Sequence, residues 1–112
     1  MNPRRGEVWL VDFGEPVGHE QAGRRLAVVI SADPLNDSRA GVVIVVPTTT
    51  THRDLPSHVE VDRGSSGLNE VTYAKCEDIK SISDERLIAR LGSVTEATTF
   101  EIARALRFLL DI

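Results

Sequence analysis

Residues 42–50 read Val-Val-Ile-Val-Val-Pro-Thr-Thr-Thr. The first five are all β-branched and apolar. Such a run predicts a strand buried on both faces, because a half-exposed strand alternates with polar residues. The run then stops at Pro47 and gives way to threonines and His52-Arg53. Polar side chains at the end of a buried strand are where a rigid scaffold can present chemistry. Residues 26–30, Leu-Ala-Val-Val-Ile, repeat the pattern in mirror order. Here the polar stretch Gly18-His19-Glu20-Gln21-Ala22-Gly23-Arg24-Arg25 comes before the apolar run.

Working outward, residues 7–13 predict a first strand, with Trp9, Val11 and Phe13 on one face and Val8 and Leu10 on the other. Residues 14–24 hold glycines at 14, 18 and 23 and Pro16, a loop too long for a tight hairpin. Residues 33–41 carry turn residues. Residues 55–62 alternate, with Pro56, His58, Glu60 and Asp62 on the wetter side of a strand. Arg63–Gly67 reads as a turn, and 71–76, 79–82 and 87–94 as short strands. Residues 96–110 form the one long helix, with Thr95 as N-cap and Glu96 in the first turn. Its apolar positions, Phe100, Ile102, Ala103, Leu106, Leu109 and Leu110, make a wide face. That face is expected to pack on the sheet, with a second subunit as the other candidate. The expected fold is mainly β, a small, strongly bent barrel capped by a C-terminal helix.

The chain has 112 residues, enough for one domain. Its core is modest, so a dimer would bury more. With 41% hydrophobic and 27% charged residues it is an ordinary globular composition, and no apolar run approaches the roughly 20 residues of a membrane span. The polar stretch Met1–Glu7 has no apolar signal core, which predicts a cytoplasmic protein. Cys76 is the sole cysteine, expected as a small buried hydrophobe. A net charge of −4 argues against a protein that coats nucleic acid, yet allows an enzyme that grips a few phosphates locally. Of the 13 basic residues all but Lys75 and Lys80 are arginines, whose planar fork suits phosphate.

His19, His52 and His58 lie in no metal-spaced cluster, so no metal site and no cofactor are expected. Neither a phosphate-binding Gly-rich loop ending in Lys-Ser or Lys-Thr nor a Gly-x-Ser-x-Gly elbow occurs. Glu77-Asp78 is a weak cation site, since neighbours on a strand point to opposite faces.

Taken together, five segments resemble the MazF/PemK toxin family. They are Arg5-Gly6-Glu7-Val8-Trp9, residues 18–31 (GHEQAGRRLAVVIS), residues 45–50 (VVPTTT), Leu55-Pro56, and Glu77-Asp78-Ile79-Lys80-Ser81-Ile82. They follow one another in the family's order over most of the chain. The resemblance implies an SH3-like barrel and a metal-independent endoribonuclease that cuts single-stranded RNA. It also implies a homodimer and inhibition by a cognate MazE-like antitoxin. By motif position the catalytic residues are Arg25 and Thr49, with Thr48 a competing assignment because four consecutive threonines blur the register. His19, Glu20, Gln21, Arg24, Thr48 and Thr50 match the RNA-binding surroundings, and Glu77, Asp78 and Lys80 a second substrate-contacting stretch. The chain departs from the family pattern at Leu26, where a proline is usual, at His19, where serine is usual, and at Asp78, where glutamine is usual. Glu20 and His19 are both candidates for the general base. A non-catalytic toxin or binding module on the same barrel, such as a gyrase poison, is the alternative reading.

Overall fold

The two apolar runs form adjacent central strands of a seven-stranded antiparallel sheet in a computed structural model, which describes residues 2–15 and 23–112. In chain order the elements are β1 (Glu7–Asp12), β2 (Arg24–Val29), the one-turn helix α1 (Asp33–Asn36), β3 (Val42–Thr49), β4 (His58–Val61), β5 (Thr72–Lys75), β6 (Lys80–Ser83), β7 (Leu87–Ser93) and α2 (Glu96–Leu110). The strands run in the order β4-β5-β3-β2-β1-β7, with β6 also paired to β3.

Alternation along β1, β2 and β3 feeds two separate cores. Val8, Val28 and Val46 pack with Cys76, Ile102 and Leu106 beneath α2. Trp9, Val11, Ala27, Val29, Val43 and Val45 pack with Phe13 and Ile82 on the other face. Both faces are therefore covered, as the unbroken β-branched runs require, and each fully buried valine contributes about 1.5–3 kcal/mol.

β3 is longer than the sequence predicts. It runs through Pro47 to Thr49 instead of stopping at Val46. On one edge its partner changes midway, from β6, where Val45 faces Lys80, to β5, where Thr48 faces Ala74. Val46 and Pro47 fall in the gap between those partners. A residue without an N–H is tolerated there and not in the middle of a ladder.

Four other expectations are corrected. The strand expected over 55–62 shrinks to His58–Val61, because Pro56 cannot donate to a ladder and Asp54 takes a left-handed turn at φ 51°. His58, expected on the wetter face, has a side chain only 2% exposed. Cys76–Asp78 is a 3-10 turn and not strand, so the strand-face argument about Glu77 and Asp78 does not apply. The wide apolar face of α2 packs on the sheet only as a stripe of Ile102 and Leu106, leaving Phe100, Phe108 and Leu110 exposed.

The described strands do not close by pairing β4 with β7. The loop after β4 closes the barrel instead, with Ser93 N–H donating to the Ser65 carbonyl at 2.8 Å and Ser65 Oγ to the Ser93 carbonyl at 3.1 Å. The crossing works because both chains carry glycine. A Cβ on Gly92 would run into the Ser65 carbonyl oxygen, and one on Gly67 would lie 2.8 Å from the Leu91 carbonyl oxygen.

The expected caps of α2 are present. Thr95 Oγ1 accepts from the Thr98 N–H, and Asp62 Oδ1 accepts from the Thr95 N–H at 3.0 Å and the Thr98 hydroxyl at 2.5 Å. Burial alone would raise the Asp62 carboxyl, but the bonds from Thr98 and Thr95 outweigh it and hold it below its ordinary value. At the N-terminus, Glu7 is a buried hub: it accepts from the Arg4 N–H and Trp9 Nε1 and pairs with Arg90. The Arg-Gly-Glu-Val-Trp motif thus has a structural role. Cys76 is buried, its thiol pushed up to about 12 by burial and by Glu77, as expected of a hydrophobe.

Candidate active site

β2 and β3 pair as far as Ala27 opposite Pro47. The ladder ends there. The same register continued outward sets Leu26 across from Thr48 and Arg25 across from Thr49. Thr48 Oγ1 donates to the Leu26 carbonyl oxygen at 2.9 Å, and Thr48 is buried. Its neighbour Thr49 turns to the opposite face, half-buried, where its Oγ1 accepts from the Thr51 N–H at 3.1 Å in a local turn. The two competing threonines therefore have different surroundings.

One row of side chains crosses the sheet at this level. Val11 faces Arg25 in β1–β2, Thr49 faces Tyr73 in β3–β5, and Tyr73 faces Glu60 in β5–β4. Paired residues of antiparallel strands share a face, so Arg25, Thr49 and Tyr73 stand on one side of the sheet. Where β2 and β3 part, a cavity of about 570 Å³ opens, lined by Arg24, Arg25, Leu26 and Thr48–Thr50 from those strands and by residues 67–70, Thr72 and Leu91 opposite. Arg24 and Arg25 are exposed at its rim. Glu70 is the one carboxylate among the described lining residues, so the cavity is net positive in a chain of net charge −4. Two guanidinium forks beside threonine hydroxyls form a donor array for a phosphodiester.

The structure thus brings together Arg24, Arg25, Thr48, Thr49 and Thr50. It does not bring Glu77, Asp78 or Lys80 into that lining. Glu77 Oε2 is 2.8 Å from His58 Nε2; burial would raise this carboxyl, and the His58 bond helps hold it low. Asp78 Oδ2 is 2.9 Å from Lys75 Nζ. Lys80 Nζ sits 5.5 Å from the centre of the Phe13 ring, at a separate hollow shared with Arg86. His19, Glu20 and Gln21 lie outside the described residues. Asn69 and Glu70, which sequence reasoning missed, enter the cavity because the Gly67 crossing folds their loop over it. The only signal in the sequence was the glycine turn before them. Among the described residues no three His, Cys, Asp or Glu side chains are grouped to hold a metal ion, and no helix is long and apolar enough to cross a membrane.

Residues 4–110 match the family described as PemK-like, MazF-like toxin of type II toxin-antitoxin system. The chain is 36% identical over 114 residues to endoribonuclease MazF9 of Mycobacterium tuberculosis, covering 97% of each. It is 29% identical over 110 residues to endoribonuclease MazF of Staphylococcus epidermidis, covering 97% of this chain and 92% of that one. Its fold is similar to the crystal structure of MazF from Deinococcus radiodurans, with a TM-score of 0.86 and 25% identity over 100% of this chain and 99% of that one. It is also similar to an endoribonuclease in complex with its cognate antitoxin from a mycobacterial species, with a TM-score of 0.82 and 28% identity over 98% of this chain and 96% of that one.

Proposed function

Since the chain belongs to the PemK-like, MazF-like family of type II toxin–antitoxin toxins, we propose that it cuts single-stranded RNA in the cavity between Arg25 and Thr49. It is an endoribonuclease toxin, and its partners are RNA and a cognate antitoxin of the MazE kind. We read residues 1–112 as one toxin domain acting in the cytoplasm, where RNA and antitoxin are made.

RNA carries its own nucleophile, the ribose 2′-hydroxyl. That oxygen attacks the adjacent phosphorus, the bond to the 5′-oxygen of the next nucleotide breaks, and the products are a 2′,3′-cyclic phosphate and a 5′-hydroxyl. Charge accumulates on the non-bridging oxygens as this happens. Arg25 donates to them through its guanidinium fork. Thr49 donates its hydroxyl to the same phosphate and fixes its orientation. The proton leaving the 2′-hydroxyl needs an acceptor. Glu70 is the carboxylate available among the described lining residues, beside the sequence candidates Glu20 and His19. The proton taken from the 2′-hydroxyl is matched by one delivered from solvent to the leaving 5′-oxygen, so with the charge met by arginine the step balances without a metal ion.

The observation that carries this reading is the shared face of Arg25 and Thr49 over a net-positive cavity. The exposed side of α2, with Phe100 63% and Phe108 74% exposed, supports a homodimer through that helix. The test is incubation of the purified protein with single-stranded RNA in EDTA, followed by analysis of the fragment ends. Cleavage giving cyclic phosphate and 5′-hydroxyl ends is expected. Cleavage that stops in EDTA and returns with a divalent ion contradicts the proposed chemistry.

A further inference from the structure

The row Arg25–Thr49–Tyr73 continues past the cavity into a pair of rings. Three residues beyond Thr49, the His52 imidazole stacks on Tyr73, with ring centres 5.1 Å apart and planes inclined by 13°. Tyr73 is half-buried and held by β5 between β3 and β4, while His52 is exposed. Neither side chain has a hydrogen-bond or ion-pair partner among the described residues. The lower ring is thus held by the sheet in the row of Thr49, and the upper ring belongs to an exposed residue. Strands lie about 4.8 Å apart, so Tyr73 stands one strand from Thr49 and two from Arg25, a row short enough for one bound single strand to span.

We propose that the His52–Tyr73 stack is a nucleobase platform: a base flanking the scissile phosphate lies on the open face of His52 and extends the stack. The inference rests on the Arg25–Thr49 cavity being the cleavage site. Proteins that read single-stranded RNA splay its bases onto aromatic side chains, because every base has a π-face and unstacked bases are available only in single strands. A platform here holds the ribose and phosphate next to that base in line with Arg25 and Thr49. It also favours unpaired RNA over duplex, whose bases are already stacked on one another.

The experiment uses the full chain and a short RNA whose cleavage position has been mapped with the wild-type protein. Oligonucleotides lacking the base at each nucleotide flanking the scissile phosphate are then compared. One abasic position is expected to lower the wild-type kcat/KM by about 5- to 150-fold, the range for one stacked base. His52→Ala is expected to show a similar loss on intact RNA and to be indifferent to that abasic position. His52→Phe, which keeps a stacking ring, is expected to recover most of what His52→Ala loses. The proposal is overturned if His52→Ala cleaves intact RNA like wild type, or if each abasic substitution costs the variant as much as wild type. It is also overturned if His52→Ala changes antitoxin inhibition alone, which would give the rings to the protein partner. Failure of the wild-type protein to cut any RNA would strike at the cavity reading instead.

Discussion

The Thr48 hydroxyl donates to the Leu26 carbonyl oxygen at 2.9 Å, across the point where the β2–β3 ladder ends. This bond substitutes for the ladder hydrogen bond that would otherwise follow, and it commits Thr48 to the sheet. Thr49, on the other face, is the threonine that stands with Arg25.

The two threonines should therefore fail differently. Thr48→Val leaves a carbonyl unsatisfied and is expected to cost about 1–2 kcal/mol of stability while cleavage persists. Thr49→Val is expected to stay folded and lose roughly 100-fold or more in kcat. Denaturation and RNA cleavage measured on both variants check this, and the opposite pattern would move the catalytic assignment to Thr48.

The seam between Gly92 and the Ser65 carbonyl leaves no room for a methyl group. Gly92→Ala is expected to destabilise the protein by about 1–3 kcal/mol through overpacking. A thermal melt reads the effect, and a wild-type melting temperature would show that the barrel does not close there.

Asp62 makes acid stability specific. Its carboxyl is held below its ordinary value by Thr98 and Thr95 against the opposing effect of burial. A depressed native value means stability that is fully present above the unfolded pKa of about 3.9 and lost as pH falls through the native one. The stability gap between wild type and Asp62→Asn is expected to be widest near neutrality and to narrow below about pH 4. Denaturant titrations from pH 7 to pH 3 measure it. A gap that stays constant would remove the charged cap from the account.

Phe100 and Phe108 sit on the side of α2 turned away from the buried Ile102–Leu106 stripe. If that side holds two subunits together, Phe108→Glu should shift the protein from dimer to monomer by light scattering at micromolar concentration. An unchanged dimer would place the interface elsewhere, and a monomeric wild type would end the proposal.

How far the sequence could be read depended on how local the cause was. Leu26–Ile30 and Val42–Val46 announce doubly buried strands because β-branched residues with no polar alternation have no other comfortable place. Thr95 and Glu96 mark the start of α2 through short-range capping. Pro47 misled because its tolerance depends on β6 handing over to β5, a partner change made by strands far along the chain. His58 was misjudged because alternation says which face a residue is on and not what covers it; here the side chain is enclosed beside Glu77. Arg25 and Thr49 were named from motifs alone, with Thr48 as the competitor, and the β2–β3 register carried outward sets Arg25 across from Thr49. Glu70 and Tyr73 carried no motif, and His52 stood in the polar stretch after Pro47 without a role; the Gly67 crossing brings Glu70 to the cavity, and the sheet register sets Tyr73, with His52 stacked on it, in the row of Thr49.

The central claim is that Arg25 supplies the charge that makes the cavity a catalyst. The most direct measurement is single-turnover cleavage of one mapped RNA by wild type and Arg25→Ala, with circular dichroism and thermal melts confirming that both are folded. Arg25 is exposed at the cavity rim, so its removal should leave the melt nearly unchanged. Loss of one strong donor to the developing charge predicts a rate reduced by roughly 100- to 1,000-fold. A folded Arg25→Ala protein that cuts RNA at the wild-type rate would contradict the account.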